Sequence, residues 1–266
     1  MTNSISDFDQ SRRRILLYAL ATGTLSTAFM ALGGCASTAS PTGSLTPSRL
    51  AAGQSIFQID GEVRVNGKKA RLSTPISQGD TVETEANSFA IFVVGKDAFI
   101  LRSNSSLSLP IQSVSAQAPP KQPHSATEKV NVGSTGTANV FYLTKGKVLS
   151  VLASRRTQIS TPSAVIGIHG TGVYIEVEPE HSYVCTCYGL VDLATSDDPS
   201  ISETIKATHH DAPRYILADK SQSNRIQPAP FKEHDDQELL LIETLVGRTT
   251  PYFVPKSITR SRRLYY

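Results

Sequence analysis

Glu-Val-Arg-Val-Asn-Gly at residues 62–67 is the stretch of this sequence that decides its fold class. Val63 and Val65 alternate with polar residues, and this is the period of a half-buried β-strand. The stretch ends in Asn-Gly, the pair most favoured in the two-residue turns of β-hairpins. The sequence therefore predicts a strand that turns back on itself in a hairpin.

Short segments of the same kind continue on both sides of this hairpin, each bounded by Gly, Asp, Asn or Pro. None of them has a helical period over ten residues. The predicted strands lie at residues 75–82, 88–95, 99–101, 104–109, 140–143, 147–152, 158–160, 164–168, 173–177, 183–188, 190–193 and 215–217. Many short strands with frequent turns predict an all-β domain, sandwich-like or solenoid-like.

Two segments depart from the strand pattern. Residues 113–137 are rich in Pro, Ser, Gln and Gly, and we interpret them as a long loop inserted into one domain. Residues 235–246 are predicted to form a helix, because Asp235 and Glu238 have the spacing of a capping box and an apolar stripe follows. The predicted β domain covers residues 53–218, and a C-terminal extension with this helix covers residues 219–266.

The N-terminal segment predicts export from the cytoplasm. Ser-Arg-Arg-Arg-Ile-Leu at residues 11–16 resembles a twin-arginine signal, and a modestly apolar stretch follows it. The stretch ends in Leu-Gly-Gly-Cys, which resembles a lipobox, so we interpret residues 1–35 as a lipoprotein-type signal in which Cys35 is lipidated and becomes the first residue of the mature chain. Residues 36–52 are rich in Ser, Thr, Ala and Pro and are predicted to be a flexible linker. We expect a protein on the periplasmic side of the cell envelope, as an outer-membrane lipoprotein or, without the lipid, as a soluble periplasmic protein.

Composition limits the classes of function. The chain has 266 residues, of which 39% are hydrophobic and 18% charged, and a formal net charge of +3. A charge this small gives no electrostatic reason to expect nucleic acid as a partner. Three cysteines are too few for the disulfide framework of a small secreted domain. The sequence holds no Gly-x-Ser-x-Gly, His-Glu-x-x-His or complete Walker motif, and we expect a protein that is not an enzyme.

Six segments resemble the FecR family. Residues 61–67, 76–84 and 104–109 resemble the first half of its domain, and residues 146–148, 160–172 and 188–193 resemble the second. The resemblance covers residues 55–218 and implies an all-β periplasmic module that senses or binds something. His169 stands where the family usually has Arg in Gly-Ile-Arg-Gly-Thr. Known members carry a cytoplasmic anti-sigma segment before a membrane span, where this chain has the export signal, so control of a sigma factor is not implied.

The candidate site consists of two cysteines and two histidines. Cys185 and Cys187 lie two residues apart on a predicted strand, so their thiols face the same side. With His209 and His210 they form a soft ligand set suited to zinc or another transition metal. Two alternatives stay open from the sequence: a local disulfide or reactive dithiol, and small buried core residues.

Three functions follow from these observations. The first is a FecR-like module that binds a small ligand or an envelope protein in periplasmic signalling, with no certain cofactor. The second is a metal-binding or redox protein built on Cys185 and Cys187. The third is a structural scaffold of an envelope complex, and in each case the membrane would be a partner through the lipid at Cys35.

Overall fold

The structure is a computed structural model that describes residues 48–109, 114–115, 137–153 and 157–254. The predicted export signal, Cys35 and most of the predicted linker 36–52 lie outside these residues. Most of the predicted loop 113–137 lies outside them as well. No helix within the described ranges has the length and apolar character needed to cross a membrane.

Strands make up most of the described chain, which confirms the prediction of an all-β fold with one C-terminal helix. The strands are β1 (Ile56–Asp60), β2 (Val63–Val65), β3 (Lys68–Lys69), β4 (Thr81–Thr84), β5 (Phe89–Val94), β6 (Asp97–Leu101), β7 (Ser106–Ser108), β8 (Val114–Ser115), β9 (Thr137–Leu152), β10 (Thr157–Ser160), β11 (Ala164–Ile168), β12 (Thr171–Val177), β13 (His181–Thr195), β14 (Ser202–Ala207), β15 (Arg214–Leu217) and β16 (Ile226–Pro228). The helix is α1 (Asp236–Leu245).

The strands follow two paths that share β9 and β13. The first sheet has the order β1-β5-β6-β9-β12-β13-β15-β16, with all neighbours antiparallel. The second sheet has the order β3-β2-β4-β7-β9-β10-β11-β13-β14, in which only the pairing of β9 with β10 is parallel. Each shared strand begins in one sheet and ends in the other, so the sheets join without a break.

The long strands correct two details of the sequence analysis. Residues 140–143 and 147–152 were expected to be separate strands, but both belong to β9, which continues through Gly146 at a φ of +83°. In the same way, β13 passes through Gly189 at a φ of +90°.

Val114 and Ser115, expected in the loop, pair with Ala138 and Thr137 of β9. The sheet also continues past residue 218, because β16 pairs with β15.

The hairpin at residues 62–67 forms as expected. β2 and β3 pair with Val65 opposite Lys68, and the two turn residues Asn66 and Gly67 have φ values of +52° and +73°. Positive φ at both positions is what a two-residue hairpin turn requires, and Asn and Gly tolerate it best.

One apolar core lies between the two sheets. Its fully buried members include Phe92 and Leu101 of the first sheet and Val82 and Ile166 of the second. Phe99 of β6 stacks on Phe92 with ring centroids 5.1 Å apart and also contacts Phe141, which lies on the part of β9 that belongs to the second sheet, at 5.5 Å. The architecture is therefore sandwich-like.

Helix α1 begins at a capping box. The side chain of Asp235 accepts a hydrogen bond from the backbone N–H of Glu238 at 3.0 Å, and the Glu238 carboxylate accepts one from the backbone N–H of Asp235 at 3.2 Å. Leu239, Ile242 and Leu245 of the helix are buried. These bonds and the apolar face confirm the predicted helix, and they fix the position of the residues just before it.

Candidate metal centre

Cys185 and Cys187 lie side by side on β13, in the middle of the first sheet. Both side chains are fully buried and both thiols are free, so the pair forms no disulfide in this structure. Their common side of the strand follows from the two-residue alternation of a β-strand. The strand therefore presents two sulfur ligands to one point.

His210 reaches this point from the loop that follows β14. Its backbone has a φ of +54°, and its N–H donates to the carbonyl of Cys187 at 3.0 Å. This bond holds the loop against β13 and places the imidazole Nδ1 3.7 Å from the Sγ of Cys185. A left-handed backbone at a histidine is uncommon and draws attention to the position.

His234 is the fourth member of the group, and the sequence analysis did not include it. It lies just before the capping residue of α1 and is 2% exposed. Its Nε2 is 2.9 Å from Nδ1 of His210. No local pattern marks this residue, because it reaches Cys185 and Cys187 only through the folding of the chain after β16.

One ligand atom from each of these four residues lies within 4.8 Å of all the others. In a tetrahedral zinc site with Zn–S bonds of about 2.3 Å and Zn–N bonds of about 2.0–2.1 Å, ligand atoms are roughly 3.3–3.8 Å apart. The two nitrogens, 2.9 Å apart, and the Sγ of Cys185, 3.7 Å from Nδ1 of His210, lie near this spacing, so small side-chain movements would fit the group to a zinc ion. Two thiolates and Zn²⁺ also sum to zero charge, so the loaded centre could be buried without an unpaired charge.

Hydrogen bonds fix which nitrogen of each imidazole faces the centre. The Nδ1 of His234 is 2.6 Å from the carbonyl of Lys232, which can only accept, so this nitrogen carries a proton. The Nε2 of His210 is 3.1 Å from the carboxylate of Asp236 and carries a proton for the same reason. In the neutral rings, the two nitrogens that face each other across 2.9 Å both present lone pairs. Only a proton or a metal cation between them removes this repulsion.

The outer contacts are those that metal-binding histidines usually have. A ligating imidazole commonly donates its second N–H to a carboxylate or a backbone carbonyl, and this fixes its orientation. Asp236 does this for His210, and the carbonyl of Lys232 does it for His234. The Tyr174 ring stacks on His234 with centroids 4.5 Å apart, and Phe231 contacts the same imidazole at 4.7 Å.

The electrostatics of the group favour a thiolate. The thiol of Cys187 and then His210 and His234 stabilise ionised Cys185 and hold its pKa at about 3. Burial raises the pKa of Cys187 well above its ordinary value, so one proton would leave this thiol when a metal binds. For His210, burial favours the neutral ring, but the contacts with Cys185 and Asp236 outweigh it and raise its pKa.

His209 lies outside the four-membered group, although the sequence analysis placed it there. Its side chain is 53% exposed, and its Nε2 is 2.9 Å from the Asp236 carboxylate. Burial opposes the ionised form of Asp236, but hydrogen bonds from His209 and His210 outweigh it and lower the pKa of that carboxyl. The structure thus brings together Cys185, Cys187 and His210 of the predicted set and adds His234 in place of His209.

His169, which replaces the usual Arg of the FecR-like motif, pairs with Asp192. Its Nε2 is 2.6 Å from the carboxylate of Asp192, whose other oxygen accepts from the hydroxyl of Thr204 at 2.6 Å. The pair lies at a partly exposed position between β11 and β13, where it links neighbouring strands.

Comparisons with known proteins give few matches. No protein-family model matches the chain, and no curated protein matches it. Among solved structures, similarity is found to two crystal structures, at 2.50 Å and 1.65 Å, of a "putative anti-sigma factor" from Parabacteroides distasonis ATCC 8503. Sequence identity is 11% and 10%, the TM-score is 0.38 in both, and each match covers 60% of this chain. The chain spans 62% of the length of these structures, and at this level of similarity no function transfers from them.

Proposed function

We propose that this chain is a non-enzymatic β module that binds one transition-metal ion, best fitted by Zn²⁺, through Cys185, Cys187, His210 and His234. The observation that carries the proposal is the pair of imidazole nitrogens that face each other across 2.9 Å beside two buried sulfurs. Both imidazoles have an outer acceptor that turns the remaining lone pair inward. A disulfide or plain core residues explain neither orientation, and a reactive dithiol, the other alternative from the sequence, needs a proton in place of the metal between the two nitrogens.

The test is metal analysis of the full chain, purified from a host competent for twin-arginine export. We expect one zinc ion per chain and its loss in Cys185→Ser and in His234→Gln. Replacement by Co²⁺ is expected to give the thiolate-to-cobalt charge-transfer absorption and the intense visible bands of a tetrahedral site. His209→Gln is the matched control, because this exposed histidine lies outside the group, and it should retain the ion. A wild-type chain without stoichiometric metal would contradict the proposal.

A regulatory role in the cell envelope is the second candidate. It is supported by the resemblance of six segments to the FecR family, and all six lie within the described part of the β fold. On this proposal the chain is a FecR-like module of periplasmic sensing, attached to the outer membrane by a lipid on Cys35. Radiolabelled palmitate should be incorporated into the wild-type chain and not into Cys35→Ala. Cell fractionation should find the wild-type chain in the membrane fraction and the variant in the soluble fraction. Label that persists in the variant would exclude this anchor.

A further inference from the structure

The metal centre joins two parts of the chain, and only one of its ligands comes from the C-terminal part. We use the name cover for residues 231–248, which include His234 and α1. The other three ligands lie on β13 and on the loop after β14. An ion at the centre would therefore cross-link the cover to the first sheet.

The cover also supplies what orients the ligands. The carbonyl of Lys232 holds His234, and the carboxylate of Asp236 holds His210, which is itself not part of the cover. The complete and correctly oriented ligand set therefore exists only while the cover is docked. By linkage, an ion that requires the docked cover must also stabilise it by the same factor.

The rest of the cover meets the sheet through buried and half-buried ion pairs as well as apolar side chains. Glu238 accepts two hydrogen bonds from Arg102, at 2.9 and 3.0 Å, and these side chains are only 2% and 6% exposed. Lys147 of β9 is 2.5 Å from Glu233. Buried ion pairs lose much of their attraction to desolvation, so they contribute little net free energy to docking. Such a mixed face is typical of interfaces that can separate, more than of a permanent core.

We propose that the ion acts as a latch: when it is bound the cover is docked, and when it is lost the cover opens and exposes Lys147 and Arg102. This inference rests on the proposed metal site and adds its regulation. A bound ion would then keep Lys147 and Arg102 covered, and loss of the ion would make these two basic side chains accessible to other molecules of the envelope.

Hydrogen exchange followed by mass spectrometry tests the latch on the full chain, with zinc bound and after its removal by a chelator. We expect exchange in residues 231–248 to become roughly 5–150-fold faster without zinc, the usual range of coupling between sites. Exchange in β5, which pairs with β1 and β6 on the far side of the first sheet, should not change. Chemical acetylation of Lys147 should rise with the opening, whereas Lys68 and Lys69, which are exposed in β3, should react equally in both states.

Reciprocity gives a second measurement that leaves all four ligands intact. Arg102→Gln removes the charge that holds Glu238 and should lower zinc affinity by the factor by which it opens the cover. Arg225→Gln is the matched control, because Arg225 is an equally buried arginine, 3% exposed, that pairs with Asp197 away from the cover. If zinc binds but cover exchange is the same with and without it, the latch is wrong and the metal site stands. If no zinc binds, both are wrong.

Discussion

At the scale of single residues, Asp236 orients one ligand of the proposed centre without being a ligand itself. Its carboxylate accepts from the outer nitrogen of His210 at 3.1 Å and from that of His209 at 2.9 Å. The first bond keeps the proton of His210 on Nε2, so that Nδ1 presents its lone pair to the proposed centre, 3.7 Å from the Sγ of Cys185. The charge of Asp236 also makes this imidazole a stronger ligand.

Asp236→Asn is therefore expected to weaken zinc binding by about 10–100-fold, the usual effect of removing an outer carboxylate. The amide keeps the shape of the side chain, removes its charge and replaces one acceptor oxygen with an NH2 donor. Competition with a chromogenic chelator measures the affinity, and Glu180→Gln, an exposed carboxylate in the turn between β12 and β13, is the control. The same affinity in both variants would show that Asp236 does not orient His210.

The sequence could predict three of the four proposed ligands and not the last. Strand alternation places Cys185 and Cys187 on one side, and a histidine pair in a following loop is a natural complement. The choice between His209 and His210 depends on the left-handed backbone at residue 210, which the hydrophobic pattern of the sequence does not predict. His234 lies beyond two further strands, and its approach to His210 depends on tertiary packing alone.

At the scale of elements, two long strands build the fold and two glycines allow them to do so. A glycine often marks the end of a strand, because it tolerates the positive φ of a turn. Gly146 therefore makes residues 140–143 and 147–152 look like two separate strands in the sequence. In the structure, Gly146 lets β9 leave β7 and β10 and enter the pairing with β6 and β12. The alternation of each half is local and visible in the sequence, whereas the change of partner at Gly146 is not.

Gly146→Ala is expected to destabilise the fold far more than Gly67→Ala. Both positions have positive φ, which costs an alanine about 1–2 kcal/mol. A Cβ at Gly146 would also lie 2.5 Å from the Cα of Ser105, a backbone contact that adds about 1–3 kcal/mol, whereas nothing lies within 4 Å of one at Gly67. Urea unfolding measures the difference between the two variants. Equal losses would mean that β9 can shift at residue 146 without cost.

At the scale of the whole molecule, the described residues between 49 and 254 form one compact unit in which the two sheets share one core. The sequence could predict the all-β class, the hairpin and the helix, because each depends on neighbouring residues. It could not predict the order of strands in the sheets, because the pairings of β1 with β5, β6 with β9 and β11 with β13 join residues distant in the sequence. A shared core has one consequence for stability. If either sheet unfolds, the apolar side chains on the inner face of the other sheet become exposed to water.

Phe99→Ala is therefore expected to destabilise both sheets together, by about 3–5 kcal/mol, the usual cost of removing a buried phenylalanine ring. Phe99 is fully buried and contacts Phe92 in its own sheet and Phe141 on the half of β9 in the second sheet. Unfolding followed by far-ultraviolet and near-ultraviolet circular dichroism should give one coincident transition, moved to lower denaturant. Phe253→Ala is the control, because this ring is 86% exposed and its loss should leave the midpoint unchanged. Two separate transitions, with only one of them moved by Phe99→Ala, would mean that the sheets fold independently and that the shared strands β9 and β13 connect them without making them cooperative.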